Sequence, residues 1–473
     1  METVKVGLMG VGLNTYWGQF DGLLDRLTGY QLRIKERMSV EGHALVVNAG
    51  MVDDVDKAYE AASLMKREDV ELLFIYVSTY ALSSVLIPVI TRLDVPVILL
   101  NLQPLPAIEY DKLNGMGDRG VMTGEWLASC QACSIPEFCS VLNHKGIRYE
   151  IVSGYLEDEE AWTEIGQWLQ AASLASGMRK NRMGVLGNYY GGMVDVYSDL
   201  RLQSTVFGTH VEVLEMCELA DIRRQVTPEE INAKLEEFGQ AFVIDKDCTK
   251  DELLRAAQTS VALDKLVEKH RLGSMAYYYS GVSGNEYENI ITSIIAGNTL
   301  LTGKNIPIAG EYEVKNVQAM KIMSLLGAGG CFSEFYAIDY KDDIVMLGHD
   351  GPAHFLISEG EVRLVPLPVY HGKPGKGLSI QMSVRHGDVT LLSVVEGKEG
   401  LSFLIAEGES VPGPILNIGN LNSRYRFAVS AKQFIEQWSK AGPSHHCAIG
   451  VGHVADVLKK YAFMLNIPVT MVS

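Results

Sequence analysis

The alternation of short apolar runs with amphipathic segments over about the first 175 residues is the feature that most constrains the fold. Leu, Lys, Glu and Arg recur at helical spacing between the runs. Such alternation is typical of a parallel sheet covered by helices on both faces. The pattern predicts further strands at Phe138–Leu142 and Tyr149–Val152. The four clearest strand candidates are rich in β-branched residues: Val4–Met9, Ala44–Ala49, Leu72–Val77 and Val95–Leu100.

The pattern changes twice farther along the chain. A second α/β region begins near Arg182 and continues to a helix that starts near Glu311. From about residue 330, short alternating strands are separated by glycine turns, which predicts a mostly antiparallel β domain. Near the end we predict helices at Ala431–Lys440 and Val454–Leu465 and a last strand at Ile467–Val472. The fold class is therefore α/β, with two Rossmann-like parallel-sheet domains and a mostly antiparallel β domain, over residues 1–175, 176–328 and 329–473.

The turn after the first strand begins Gly10-Val11-Gly12, which is similar to the opening of a dinucleotide fingerprint. The third glycine comes only at Gly18, and no acidic residue closes the second strand where a ribose would need one. We interpret the segment as a plain strand-to-helix turn. Ligands still bind at the carboxyl ends of such strands, so Asn14, Tyr16 and Trp17 are candidate substrate-binding residues.

The formal net charge of −17 argues against partners that carry phosphate, because a nucleic acid or an anionic membrane needs a basic face. No apolar stretch approaches the roughly 20 residues that cross a bilayer. The first residues lack a basic segment followed by a cleavable apolar one, so we expect a cytoplasmic protein. Its seven cysteines predict reduced thiols. Cys130 and Cys133 are interpreted as buried thiols rather than a redox or zinc motif.

Acids and histidines concentrate beside glycines in four short segments. Their carboxylates and imidazoles form a mixed O/N set that suits Mn²⁺, Co²⁺ or Mg²⁺ better than a thiolate-rich set would. Each residue also has a structural interpretation, since Glu311 could complement a helix dipole and Glu334 could belong to an ion pair. His349 could be a hydrogen-bonded structural residue, and His445-His446 a surface pair. The segments are Ala309–Lys315, Phe332–Tyr336, Leu347–Asp350 and Pro443–Cys447.

Taken together and in this order, the four segments resemble those of the L-arabinose isomerase family. Gly310-Glu311-Tyr312-Glu313-Val314-Lys315 is similar to the segment that bears the family's first metal-binding glutamate, and Phe332–Tyr336 to the one that bears the second. Leu347-Gly348-His349 and His445-His446 are similar to its two histidine segments. Gly154-Tyr155-Leu156-Glu157-Asp158 is similar to the family's Gly-Tyr-Trp-Glu-Asp segment.

The resemblance implies an aldose–ketose isomerase that works through a cis-enediol(ate) and depends on a divalent metal, most simply Mn²⁺. It implies that Glu311 and Glu334 bind the metal and transfer protons. His349 and His446 would complete the ligand set, while Lys315, Asp350 and His445 would orient the ligands. It also implies a homo-oligomer, a trimer or hexamer, in which a neighbour's first domain completes the sugar pocket.

Departures from the family pattern leave the sugar open. Near Gln131-Ala132-Cys133-Ser134 the arabinose enzymes carry a histidine in a Gly-Asp-Arg context that is missing here, and Asn14 replaces a glutamine. L-arabinose or D-galactose, an L-fucose-like sugar and sulfoquinovose are therefore all candidate substrates. Two other functions are alternatives: a non-catalytic sugar-binding protein, and a metal-dependent sugar lyase or aldolase.

Overall fold

The computed structural model describes residues 3–40, 44–280, 282–368 and 375–472. Its chain divides into two units, Met1–Ser176 and Gly177–Ser473, each of which is described by itself below. Both contain a parallel sheet, and the second also contains an antiparallel one, so the predicted fold class is confirmed. The proposed division into three domains, with a boundary near residue 328, stays a prediction.

The first unit is built on a five-stranded parallel sheet with strand order β2-β1-β3-β4-β5. The order reverses at β1 and β3, where α/β sheets of this kind commonly bind ligands. Its strands are β1 (Lys5–Val11), β2 (Leu45–Val52), β3 (Leu73–Val77), β4 (Val97–Gln103) and β5 (Tyr149–Tyr155). Its helices are α1 (Leu23–Val40), α2 (Val55–Glu68), α3 (Ile87–Ile90), α4 (Tyr110–Asn114), α5 (Arg119–Leu127), α6 (Ile135–Lys145) and α7 (Glu159–Lys180), which ends past the division.

The predicted strand at Phe138–Leu142 is wrong, because these residues lie within α6. Phe138 and Leu142 are four positions apart, so they occupy the same helix face, and both are buried. Short apolar runs fit a buried strand and a buried helix equally well by periodicity alone. Gly146 ends α6 in the left-handed conformation, with φ of 71°. The other five strands predicted in this unit are confirmed.

The prediction of reduced thiols is wrong at Cys130 and Cys133, which form a disulfide. A 3-10 turn over Gln131–Ser134 places the two Cα atoms 5.8 Å apart, within the range that a disulfide can span. The expectation came from the odd, scattered cysteine count, which carries no information about local turn geometry.

The second unit begins with a four-stranded parallel sheet of order β10-β9-β6-β7, surrounded by helices. Its strands are β6 (Arg182–Gly187), β7 (His210–Leu214), β9 (Ser274–Tyr278) and β10 (Ile308–Ala309), while β8 (Val243–Ile244) pairs elsewhere. Its helices are α8 (Leu200–Phe207), α9 (Met216–Arg224), α10 (Pro228–Ala241), α11 (Lys250–His270), α12 (Glu286–Ile291), α13 (Ile295–Gly303) and α14 (Val314–Leu325).

A seven-stranded, largely antiparallel sheet of order β15-β18-β11-β12-β17-β16-β19 forms the rest of this unit. Because β15 also pairs with β16, six of these strands close on themselves as in a barrel. Three further strands form a small separate sheet of order β14-β13-β8. The strands are β11 (Gly329–Asp339), β12 (Ile344–His349), β13 (Arg363–Leu367), β14 (Gly377–Gln381), β15 (Gly387–Gly397), β16 (Gly400–Val411), β17 (Leu421–Phe427), β18 (His446–Val451) and β19 (Val469–Val472).

Helix α14 is buried on all sides, since every residue from Val314 to Ser324 is buried. It packs against β11, β15 and β18 of the large sheet. A helix that is enclosed in this way belongs to the core. The residues just before α14 are therefore held close to the strands of that sheet.

Helices α15 (Ala431–Lys440) and α16 (Ala455–Leu465) end where the sequence predicts. Ser430 and Gln433 form a reciprocal capping box at the start of α15. Phe434 of this helix is fully buried and stacks on Phe427 of β17 with ring centroids 3.6 Å apart. Within the described part of the chain, no helix has the length and hydropathy to span a bilayer.

Replacing Phe434 by Ala is expected to lower the free energy of unfolding by about 3–5 kcal/mol, because the truncation leaves a cavity beneath α15. Chemical denaturation followed by circular dichroism measures the loss. The control is Lys432→Ala on the exposed face of the same helix, which should change stability by no more than about 0.5 kcal/mol. Equal effects of the two substitutions would contradict the described packing.

Candidate metal centre

Strand register brings together residues that lie far apart in the sequence. Glu334 is on β11, which pairs with β12 on one side and with β18 on the other. Glu334 faces Gly348 across the first pairing and His446 across the second. His349 is the last residue of β12 and follows Gly348 directly. The pairing therefore places Glu334 beside His446, and the ring of His349 lies next to that of His446, with centroids 5.2 Å apart.

Glu311 reaches the same place from the turn between β10 and α14. Its Oε2 is 3.4 Å from His446 Nε2, and its Oε1 is 4.0 Å from His349 Nε2. Ligand atoms of Glu311, His349 and His446 lie within 4.8 Å of one another, as do those of Glu334, His445 and His446. The two groups share His446, so the four residues predicted as metal ligands are connected through this imidazole, and His445 belongs to the second group.

The backbone at Glu311 is unusual, because both Glu311 and Tyr312 adopt the left-handed conformation, with φ of 56° and 61°. Residues other than glycine rarely do so, and such conformations concentrate at functional sites. The Tyr312 amide donates to the Tyr277 carbonyl of β9 at 3.0 Å. The adjoining parallel sheet therefore holds the turn that carries the acid.

The aromatic ring of Phe332 forms the floor beneath both histidines. Its centroid is 4.3 Å from that of His349 and 4.4 Å from that of His446, and the side chain is fully buried. Phe332 lies two residues before Glu334, so the two side chains point to the same face of β11. The imidazoles consequently rest on an apolar surface that excludes water from one side.

The electrostatics of the cluster favour neutral imidazoles and an ionised acid. Burial lowers the pKa of His446 to about 3 and also lowers the pKa of His349. Burial opposes ionisation of Glu311, but the contact with His445, whose own pKa is raised, leads the interactions that outweigh it and lower the pKa of this carboxyl to about 2. A neutral imidazole has a lone pair to offer a cation, so these protonation states suit a metal site.

The donor set fits a divalent cation. Glu311 Oε2 and His446 Nε2 are buried and, among the described residues, have no hydrogen-bond partner. Buried polar atoms without partners are costly unless an ion or water satisfies them. Carboxylate oxygens and imidazole nitrogens are both donors that divalent cations take in proteins.

The residues predicted to orient the ligands lie around the same cluster. Asp350 Oδ1 is 3.5 Å from His349 Nδ1. Lys315 is buried on α14, and its Nζ is 3.8 Å from Glu313 Oε1. His445 Nε2 is 3.5 Å from Glu311 Oε2 and 4.0 Å from Glu334 Oε2.

Two further acids belong to the cluster and were missed from the sequence. Glu313 is fully buried, with Oε2 3.5 Å from His446 Nδ1, and burial raises the pKa of this carboxyl to about 7. Asp195 contacts His445. Burial lowers the pKa of His445, but contacts with the Glu311 and Asp195 carboxylates outweigh it and raise this pKa to about 9. The Glu-x-Glu-x-Lys spacing could have indicated Glu313, whereas nothing around Asp195 distinguishes it.

The candidate substrate-binding residues lie in the first unit. Asn14 and Tyr16 bound a 3-10 turn that follows β1, at the carboxyl end of the sheet. Trp17 comes next, and its Nε1 donates to Asp53 Oδ2 at 2.6 Å. Asp53 also accepts from Lys57 at 2.6 Å, and sequence reasoning did not identify it. These polar groups follow β1 and β2, and β1 borders the point where the strand order reverses.

Comparison with known proteins gives a consistent set of relatives. The chain is 20% identical over 353 residues to the L-arabinose isomerase of Bacillus subtilis strain 168, across 71% of this chain and 69% of that enzyme. It is 19% identical over 334 residues to the L-arabinose isomerase of Serratia proteamaculans, across 68% and 66%. For the enzyme from Yersinia pseudotuberculosis serotype O:1b, identity is 21% over 337 residues, across 68% and 66%. The aligned parts thus span about two thirds of each relative.

Two other comparisons add nothing to these relatives. No family model matches the chain. Among solved structures, a solute-binding protein of an ABC transporter from Agrobacterium vitis aligns at 12% identity with a TM-score of 0.16, over 65% of this chain and 93% of that one. So low a score carries no argument about fold or function.

Proposed function

We propose that this L-arabinose isomerase-like chain is an aldose–ketose isomerase with a divalent-metal site formed by Glu311, Glu334, His349 and His446. The observation that carries the proposal is that Glu311, His349 and His446 form one potential ligand group, while Glu334 belongs to a second group that shares His446. The three relatives described above are L-arabinose isomerases, which supports the same reaction class. Mn²⁺ is the proposed metal, with Co²⁺ and Mg²⁺ as alternatives.

The reaction requires a proton to leave one carbon of an open-chain sugar and to return to its neighbour through a cis-enediol(ate). Glu311 and Glu334 are the groups that take up and return this proton. The lowered pKa of Glu311 keeps this carboxyl ionised at neutral pH, so it is in the protonation state that a base requires. A divalent cation bound at the cluster supplies Lewis-acid stabilisation of the negative charge that develops on the sugar oxygens.

The remaining residues keep these groups in place. His349 and His446 complete the metal ligand set, and the Phe332 ring beneath them excludes water. Asp350 Oδ1 lies 3.5 Å from His349 Nδ1 on one edge of the ring, and Glu311 Oε1 lies 4.0 Å from Nε2 on the other. The ammonium group of Lys315 lies 3.8 Å from Glu313 Oε1 and balances part of the negative charge of the carboxylates in the cluster.

The wider assignments follow from the same family resemblance. Asn14, Tyr16 and Trp17 are proposed to bind the sugar, because they occupy the carboxyl end of the first sheet. A homo-oligomer, either a trimer or a hexamer, and a cytoplasmic location complete the proposal. No nucleic-acid or membrane partner is proposed, consistent with the net charge of −17.

A panel of aldoses incubated with the protein and Mn²⁺ tests the proposed activity. The panel contains L-arabinose, D-galactose, L-fucose and sulfoquinovose, and chromatography with mass detection follows the products. We expect at least one sugar to give a ketose of unchanged mass. Two shorter fragments would instead indicate an aldolase or lyase, and saturable binding without conversion would indicate a sugar-binding protein.

Running the productive reaction in deuterium oxide tests the intermediate. A proton carried by a carboxylate can exchange with solvent, so we expect deuterium at the carbon next to the carbonyl of the product. Product without deuterium would indicate transfer that does not pass through an exchangeable group and would contradict the cis-enediol(ate) route.

A further inference from the structure

One acidic residue that the proposed reaction does not use contacts the cluster. Asp195 lies in a 3-10 turn over Val194–Val196, between β6 and α8. Its Oδ2 accepts two hydrogen bonds from His445, one from the backbone amide at 3.0 Å and one from the ring Nδ1–H at 2.6 Å. A carboxylate can only accept, so this contact fixes both the orientation of the imidazole and the position of one ring hydrogen.

Asp195 is itself held in place. Lys315 Nζ donates to the Asp195 backbone carbonyl, and Lys315 is only 4% exposed. Val196, next in the turn, is fully buried. The turn is therefore tied to α14, the helix that begins just after Glu311. An aspartate fixed on both its main-chain and side-chain oxygens can act as a rigid support.

The opposite edge of the His445 ring faces the two proposed proton carriers. Nε2 is 3.5 Å from Glu311 Oε2 and 4.0 Å from Glu334 Oε2. The ring also packs on His446, with centroids 3.8 Å apart. His445 thus connects Asp195, on one side, with both carboxylates on the other.

We propose that Asp195 is a positioning residue that acts through His445 and keeps its Nε2 directed at the carboxylates of Glu311 and Glu334. The inference rests on the proposed function, because it assigns those carboxylates to proton transfer. It predicts that Asp195 has no effect of its own once the His445 imidazole is removed. A residue that served only the stability of the turn would not show this dependence.

A double-mutant cycle tests the dependence, using Asp195→Asn, His445→Gln and the double variant. Loss of such an outer contact typically costs 10–100-fold, so we expect Asp195→Asn to lower kcat by about that factor with KM changed less than about threefold. The kcat of the double variant should lie within about twofold of His445→Gln alone. Losses that multiply, or an unchanged kcat in Asp195→Asn, would overturn the proposal.

The matched control is Asp199→Asn in the same loop. Asp199 caps α8 and pairs with Arg201, and Asn preserves the helix cap. We expect this variant to keep the kcat of the unmodified protein. Because neither side chain is assigned as a metal ligand, titration calorimetry with Mn²⁺ should give a dissociation constant within about threefold in Asp195→Asn and His445→Gln. Loss of Mn²⁺ binding in His445→Gln would make this imidazole a metal ligand and overturn the assignment.

A readout on the metal-free protein separates this inference from the proposed function. With ¹⁵N-labelled histidine, the ring resonances absent from His445→Gln identify His445. We expect its Nδ1 resonance to shift in Asp195→Asn and to stay in place in Asp199→Asn. An unmoved resonance overturns the Asp195–His445 pair even if the protein isomerises sugars. A shifted resonance in a protein that converts no aldose upholds the pair, while the isomerase proposal fails.

Discussion

Replacing Glu311 by Gln is expected to abolish isomerisation, with kcat lowered by a factor on the order of 10²–10⁴. Gln has nearly the same shape but cannot take up a proton, and its neutral oxygen is a weak metal ligand. Glu334→Gln should have a comparable effect, since both acids are assigned to the same proton transfer. Initial rates of ketose formation at saturating sugar and Mn²⁺ measure the loss.

Folding must be preserved for this result to report on chemistry. Both substitutions keep the side-chain volume, and circular dichroism with thermal unfolding checks the fold. The control is Glu361→Gln, which removes an exposed acid from the same unit and should leave kcat within about twofold. Near-normal turnover in either Glu311→Gln or Glu334→Gln would remove these acids from the mechanism.

Removal of divalent cations should have the second large effect. After treatment with EDTA and desalting, we expect activity to fall on the order of 100-fold or more, because Lewis-acid stabilisation contributes several kcal/mol to such reactions. Added Mn²⁺ should restore it. Elemental analysis of the untreated protein, alongside the rate measurement, identifies the native metal and its stoichiometry.

A ligand variant provides the control for that experiment. His446 is fully enclosed in the cluster, and Gln at this position removes one imidazole. The Mn²⁺ concentration that restores the unmodified protein should fail to restore His446→Gln, because loss of a ligand weakens the site. Full activity of the metal-free protein would contradict the proposed metal dependence and leave the acids to act alone.

Much of the fold can be predicted from the sequence, because buried parallel strands are continuous apolar runs. Val4–Met9 and Leu72–Val77 are examples, and both lie in strands of the first sheet. The strand predicted at Phe138–Leu142 was wrong because an apolar run of five residues has too few turns to show helical periodicity. The prediction of reduced thiols was wrong at Cys130 and Cys133 because overall cysteine usage does not report the geometry of one turn.

The candidate site was predictable in part for a different reason. Residue types and a family resemblance pointed to Glu311, Glu334, His349 and His446, which fall into two potential ligand groups that share His446. Their convergence depends on the register of β11 with its two neighbours, which no local pattern specifies. Asp195 escaped notice because its partner His445 is 250 positions away.

The left-handed backbone at Glu311 lowers the stability of the fold at the same position that carries a proposed catalytic carboxylate. A side chain in this conformation costs about 1–2 kcal/mol, which glycine would avoid. Selection for thermal stability alone would therefore favour the replacement of Glu311 by glycine. The proposed chemistry needs the carboxylate of Glu311, so the residue that gives the highest stability at this position and the residue that gives activity differ.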